Sequence, residues 1–506
     1  MVSFSRSTRP DASPKALLLA VLALVIASAN STAPSPLYHQ LQLQMGFDGT
    51  MLTVIYAVHS AGVLLTLLTT GRLSDRLADR RVILVPALIC VCIGAVSMAA
   101  AQSIWWLVAG RIVSGLGVGA LTGSASAAVV ELAPAELRKR ASLFGTSAIT
   151  FGCALGPLLD AGALWIGVIP TRLSFLLIAL SGVATAFALT RVYWPARETV
   201  LDLAPQETDT ETRVVLPPAS ATEASIPSAF APLASGAGVD TVAEAFESAL
   251  SQGATAPLAT AAAAAAVAGV SVVEPADAES ESEADLASPK RDDVPSTASA
   301  ASAQSDAQSA AAAGPAQWRA MSSAPFLISS AALGLVWCAG TFVMTLTPSL
   351  ADTLMQIHDP ASIALLLSLF QLVTGSTQLA ARRMPAQVAI IGGVALVAAM
   401  LAVCATAAWL KAPMLFAGAM VLLGVGYGAA FVGSAGVVNH AAPERSRAAV
   451  VSLFYVIGYV ACTLPILAFG LLSDWFGIST ATAVFTVTTV GSAAAIVRAR
   501  RRLVTQ

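Results

Sequence analysis

Charge is what this 506-residue chain has least of. Asp, Glu, Lys and Arg together make up 11% of it, against about 25% in a soluble globular protein. A chain this poor in charge has little surface that faces water. Histidine is scarce too, with 4 in all, and no run combines His, Asp or Glu into the clusters that a membrane enzyme or a metal centre needs. No Gly-x-Ser-x-Gly element is present, and no cofactor or metal is implied. The formal net charge of −2 gives no basic surface for nucleic acid. The six cysteines, Cys90, Cys92, Cys153, Cys338, Cys404 and Cys462, all fall inside apolar runs. There they act as small hydrophobes rather than as a disulfide framework or metal ligands.

What the chain does have is apolar length: 56% of its residues are hydrophobic and the mean hydropathy is +0.77. A bilayer core of about 30 Å is crossed by roughly 20 apolar helical residues, and lipid forces the backbone to satisfy itself within a helix. The runs predict twelve spans, at 15–34, 50–70, 82–101, 104–132, 141–164, 172–191, 324–350, 361–381, 386–408, 413–440, 446–470 and 478–497. The fold class is thus an all-α polytopic membrane protein. The first run follows Arg6, Arg9 and Lys15 and passes through Ala-Ser-Ala, which is also the layout of a secretory signal peptide. Its removal would leave eleven spans.

The basic residues favour twelve. Arg and Lys gather at the N-terminus, at 71–81, at Arg138-Lys139-Arg140, at Arg382-Arg383, at Arg445 and Arg447, and at 498–502. With twelve spans all of these lie on one side, and the opposite side holds only Arg172 and Lys411. The positive-inside rule makes that the cytoplasmic side and places both termini there. Residues 198–323 differ in composition. Eighteen of the chain's 29 acids lie between Glu198 and Asp306, and aromatics nearly vanish. Such a segment buries too little apolar surface to offset ordering entropy, so a disordered cytoplasmic linker is expected, its Ala-rich stretch 256–273 included. The domains read as a 1–14 N-terminus, a six-helix bundle over 15–197, the 198–323 linker, a second six-helix bundle over 324–497 and a basic tail at 498–506.

The two bundles repeat. Residues 115–140 align without a gap onto 424–449, a constant offset of 309. Gly115, Gly117, Gly119, Ala133, Pro134 and Arg138 meet Gly424, Gly426, Gly428, Ala442, Pro443 and Arg447. A six-plus-six membrane protein of this kind matches carriers whose two halves rock about a midplane site.

Between two oily runs stands GRLSDRLADRR, residues 71–81. Its interleaved Asp and Arg can pair at helical spacing or cap helix ends; a purely topogenic loop gains little from the aspartates. The stretch resembles the cytoplasmic loop motif of the major facilitator superfamily, G-x-x-x-D-R-x-G-R-R, through Gly71, Asp75, Arg76 and Arg80. Ala78 and Asp79 depart from it. In span four, LVAGRIVSGLGVGA is similar to the superfamily's arginine motif through Arg111, Gly115, Gly117 and Gly119. In span five, Gly152, Gly156 and Pro157 match part of its antiporter motif, whose terminal glycines are here Asp160 and Ala161, with Leu143 in place of an early glycine.

The resemblance implies a twelve-helix fold in two pseudo-symmetric bundles. It also implies a cytoplasmic latch of Gly71, Asp75, Arg76, Arg80 and an acid at the inner end of span four, here Glu131. Arg111 would face the central cavity and take part in proton coupling; snorkelling to the nearer helix end is the alternative. Asp160 and His59 are further titratable candidates, with an interfacial acid and a plain interhelical hydrogen bond as their bland readings. Helix identity nominates Asn30, Arg111, Trp337, Gln371 and Tyr427 as cavity groups. The function expected is proton-coupled export of a small organic solute by a monomer in the bacterial inner membrane. Its partners would be the solute, protons and the lipid bilayer. A symporter or uptake permease is the alternative, and a polytopic membrane enzyme or a sensor stands third.

Overall fold

Helices are the only elements that close their own backbone hydrogen bonds inside an apolar run, and the computed structural model of the chain is built from them. It describes residues 14–76, 79–134, 138–194, 320–442 and 447–499. The N-terminal 1–13, most of the linker and the end of the basic tail lie outside the described residues.

The first half contains α1 (Pro14–Thr32), α2 (Pro34–Met45), α3 (Gly49–Arg76), α4 (Arg81–Ala99), α5 (Ile104–Leu132), α6 (Arg138–Ile166) and α7 (Leu173–Arg191). The second contains α8 (Ala324–Thr353), α9 (Pro360–Ala381), α10 (Ala386–Trp409), α11 (Pro413–Ala441), α12 (Arg447–Phe476) and α13 (Ile478–Arg498). Among the described residues, twelve spans are long and apolar enough to cross a membrane, because α1 and α2 together make the first, Pro14–Met45. That span is longer than the 15–34 read from hydropathy. Pro34 lacks the N–H that would continue the α1 ladder, so the chain restarts there as α2 and stops at Gly46 in the left-handed region (φ 68°). The other span boundaries agree with the sequence reading to within a few residues.

The two halves share one pattern of helix packing. In the first, α5 packs on α3 and α4, α1 on α5, α6 and α7, and α4 on α7. In the second, α11 packs on α9 and α10, α8 on α11, α12 and α13, and α10 on α13. Each pair in one half has its counterpart in the other. The halves then meet along α6 with α9 and along α3 with α12, which are themselves equivalent pairs.

The glycines of the 309-residue repeat show why. A methyl group at Gly115 would lie 2.4 Å from the His59 carbonyl oxygen of α3, and one at Gly117 2.5 Å from that of Ala87 in α4. At Gly424 and Gly426 the same methyl would lie 2.9 Å from the Phe370 carbonyl of α9 and 2.8 Å from that of Gly393 in α10. A methyl at Gly119 would lie 2.4 Å from Val63 O, and one at Gly428 2.4 Å from Thr374 O. Without a side chain, backbones come close enough for dispersion contacts that lipid cannot supply.

The bundle has two unlike ends. The basic loops lie at one. At the other, Trp105, Trp106, Trp165, Trp409 and Trp475 stand exposed at helix ends, where an indole meets both headgroups and acyl chains.

Candidate functional site

Arg111 sits two turns into α5 and is 1% exposed. The close approach at Gly115 and Gly119 seats α5 against α3, and the guanidinium is packed inside the bundle. Nη1 donates to the Ser31 carbonyl of α1 at 3.2 Å, and Cζ lies 6.0 Å from the Tyr56 ring centroid, within cation–π range. Nε is buried without a hydrogen-bond partner among the described residues. No carboxylate there lies within ion-pair distance of the group. Tyr38 of α2, within electrostatic reach of it, is 1% exposed with its hydroxyl also unpartnered among the described residues. His59 places Nδ1 3.3 Å from the Arg111 carbonyl oxygen and 3.4 Å from Ser114 Oγ. It therefore ties α3 to α5.

Tyr56 leads across to the second half, its hydroxyl 3.3 Å from Thr341 Oγ1 of α8. Around that crossing the chain gathers its tyrosines. Tyr427 of α11 lies near Tyr56, Tyr459, Cys153 and Cys462, and Tyr459 of α12 near Tyr56, Tyr455 and Cys153. Trp337, one turn before Thr341, packs edge-on to Tyr459 at 4.8 Å and stacks with Tyr455 at 5.9 Å and Phe431 at 6.3 Å. Tyr56, Trp337, Tyr427, Tyr455 and Tyr459 are each half-buried.

Five of the six tyrosines in the chain, Tyr38, Tyr56, Tyr427, Tyr455 and Tyr459, belong to this cluster. Only Tyr427 is among the residues nominated from sequence. Of the others nominated, Asn30 is 2% exposed with Oδ1 unpartnered, one residue before the carbonyl that receives Arg111. Gln371 lies half-buried on α9 and makes no side-chain hydrogen bond among the described residues.

Gly152 and Gly156 form the face of α6 on α1. A methyl at either would lie 2.6 Å from Val25 O or 2.4 Å from Ala29 O. Pro157 lies inside α6, as Pro465 lies inside α12. Asp160, one turn beyond Gly156, is 0% exposed rather than interfacial. It neighbours Ser174 of α7, yet neither its two oxygens nor Ser174 Oγ has a well-formed hydrogen bond among the described residues.

At the basic end, Arg80 and Glu131 form a two-pronged pair, Nε to Oε2 and Nη2 to Oε1, both 2.7 Å. This joins the start of α4 to the end of α5 within the first half. Asp79 turns instead to Arg81, accepting from its Nη2 at 2.8 Å and its backbone N–H at 2.8 Å. Partial burial pushes the Asp79 carboxyl up, but these donors hold it below the usual carboxylate range. Arg81 Nη1 also donates to the Val192 carbonyl at 3.1 Å. Gly71, Asp75 and Arg76 fall in the last turns of α3, and their side chains lie outside the described residues.

The opposite end joins the halves directly. Asp474, near the end of α12, accepts from the backbone N–H groups of Gly49 and Thr50 at 2.9 and 2.8 Å and from Thr50 Oγ1. Asp352, at the end of α8, lies 3.0 Å from His39 Nε2 of α2 and 2.6 Å from His358 Nδ1. Nothing in the local sequence marks these contacts between the halves, because Asp474 and Gly49, like Asp352 and His39, are hundreds of positions apart.

Two like halves, packed by one rule and joined around a buried guanidinium, have the architecture of a membrane transporter. The chain belongs to the Major Facilitator Superfamily, whose profile matches residues 20–465. It is 37% identical over 98 residues to Myo-inositol transporter 1 of Candida albicans, a match covering 19% of this chain and 18% of that protein's length. Among solved structures it resembles a bacterial homolog of the human lysosomal transporter Spinster, inward-facing and unoccupied (TM-score 0.61, 12% identity, 97% and 98% of the two chains). It also resembles the partially occluded, inward-open xylose transporter XylE of E. coli (TM-score 0.58, 14% identity, 95% and 97%). At such identities the likeness is one of fold.

Proposed function

We propose that this transporter exports a small organic solute in exchange for protons, its two halves exposing the central chamber to each side in turn. The observation that carries this reading is the Tyr56–Thr341 crossing. It supports the reading by linking, through Tyr56, the buried Arg111 of one half to Thr341 on α8 of the other. Arg111, Asp160 and His59 are the candidates for proton coupling, since intramembrane ionisable groups are functional by default. Asn30, Arg111, Trp337, Gln371 and Tyr427 are proposed to line the solute path. Gly71, Asp75, Arg76, Arg80 and Glu131 are proposed as the latch at the basic end. In this reading that end is cytoplasmic, the membrane is the bacterial inner membrane and the carrier works as a monomer. The partial span-five motif favours export. Uptake with protons is the second reading, favoured by the inositol transporter relative and by likeness to a D-xylose-proton symporter.

Everted vesicles from cells with and without the protein decide the direction. Solutes first selected by altered sensitivity of a deletion strain are supplied outside, with the vesicle interior acidified. Export predicts gradient-dependent accumulation inside together with partial collapse of the pH gradient. Accumulation only in right-side-out vesicles, driven by external acid, would establish uptake instead.

A further inference from the structure

We infer that His39, Asp352 and His358 form a proton-binding site at the end away from the basic loops, and that a proton taken up there draws the two halves together. None of the three belongs to the proposed solute path, latch or coupling groups. The inference therefore goes beyond the transport reading and gives that end its own response to pH.

The geometry is a carboxylate between two imidazoles. α2 belongs to the first half but packs across on α8 and α9 of the second. From α2, His39 brings Nε2 to 3.0 Å from Asp352 Oδ2 at the end of α8. His358, in the loop between α8 and α9, brings Nδ1 to 2.6 Å from the other oxygen, Oδ1. Two of the chain's 4 histidines thus share one carboxylate, and one of the two contacts crosses between the halves. At His39 the approach is at ion-pair distance, yet neither ring nitrogen is in an aligned hydrogen bond among the described residues. A neutral ring placed this way gains little from Asp352, because a hydrogen bond needs alignment. A charged ring is attracted at the same distance without it. The tie between α2 and α8 is therefore stronger when His39 carries a proton.

The other charged groups around α2 are engaged elsewhere. Asp352 is the one charged residue of α8. Beside His39 on α2, Tyr38 lies within reach of Arg111. Asp359, ahead of α9, accepts from the N–H groups of Ala361 and Ser362 in its own first turn. On α6, Asp160 neighbours Ser174 of α7, and α1 carries only Lys15, in its first turn. Asp48 caps α3 at Met51 N. Between about pH 5 and 8 an ordinary imidazole changes charge and an ordinary carboxylate does not. Asp474 joins the halves at this same end through backbone N–H groups and a hydroxyl, none of which titrates in that interval. One tie is permanent and the other answers to protons. An imidazole that meets its carboxylate only when the halves are together holds its proton more tightly in that arrangement, so acid favours it.

The test uses the full-length protein in detergent, with no solute and no gradient, in a background without its native cysteines. Spin labels are placed at Val168→Cys, between α6 and α7, and at Met414→Cys on α11, both exposed at this end and on opposite halves. Pulsed electron resonance then reads the close and separated populations at about pH 5.5 and about pH 8, on either side of the ordinary imidazole value. The close-to-separated ratio is expected to be about threefold higher in acid, the scale of a partly exposed ion pair. His39→Gln and Asp352→Asn should each remove that difference, and His358→Gln should reduce it. Asp474→Asn should lower the ratio at both pH values and keep the difference between them. An equal ratio at the two pH values in the wild type would overturn the inference, as would a difference that survives in His39→Gln or in Asp352→Asn. Should one of these two variants fail to fold, the other decides together with the wild type. Because neither solute nor gradient is involved, these outcomes are separate from the vesicle experiment on the direction of transport.

Discussion

Asp474 closes the start of α3 from the other half of the molecule: one carboxylate accepts from the N–H groups of both Gly49 and Thr50. The first N–H groups of a helix have no partner within it, and an anion there also meets the positive end of the helix dipole.

Asp474→Asn keeps the shape and removes the charge. The contact is solvent-exposed, so its loss is expected to cost about 1 kcal/mol, a roughly fivefold shift between two states of the carrier. In a background where Cys462 is the sole thiol, labelling by an impermeant maleimide added from the Asp474 side should accelerate by about that factor. An unchanged rate would show that the contact does not hold the halves together at this end.

Glycine substitutions in α6 should have opposite effects six residues apart. A methyl at Gly156 would lie 2.4 Å from Ala29 O and 2.7 Å from Ala33 N, both backbone, while a methyl at Gly162 meets nothing within 4 Å. Gly156→Ala must push α1 and α6 apart, and a loss of about 1–3 kcal/mol is expected. Gly162→Ala should stabilise the helix by about 0.5–1 kcal/mol. Thermal unfolding of the two variants in one detergent checks both signs at once.

Asp79 supplies a pH dependence. Its carboxyl titrates below the ordinary range, so the stabilisation it brings is fully present above the ordinary carboxylate value of about 4. That stabilisation is lost as pH falls through the lower folded value. Asp79→Asn should lower the melting temperature at pH 6 and flatten the fall of melting temperature below pH 4. Parallel curves for wild type and variant would show that the Arg81 contact adds nothing to stability.

The helices and the repeat were legible because both are written locally. Span length follows from apolar runs, and the register of Gly115, Gly117 and Gly119 with Gly424, Gly426 and Gly428 follows from one fixed offset. Arg111 stood out because a charge in an apolar run is conspicuous wherever its side chain goes. The break at Pro34 was missed, since hydropathy registers composition and α2 is far less apolar than α1. The tyrosine cluster was illegible for another reason. Tyr38, Tyr56, Tyr427, Tyr455 and Tyr459 sit on four different helices, and each alone is an ordinary apolar residue with a hydroxyl. Asp474 and Asp352 read as helix-end acids until the second half is laid against the first.

The repeated glycines have a mechanical consequence. Inside each half the seams bring backbone close to backbone, at Gly115 and Gly119 as at Gly424 and Gly428, and leave little room to flex. Each half is a stiff plate. The α6–α9 seam is made by side-chain tips, Thr150 Oγ1 to Gln378 at 3.0 Å and Ser368 Oγ to Ala154 O at 2.9 Å, which turn on a single bond. The α3–α12 seam tightens to backbone contact where Gly470 meets Gly49 and Thr50. Two stiff plates joined along such seams tilt as wholes, so rocking moves each half without repacking its interior.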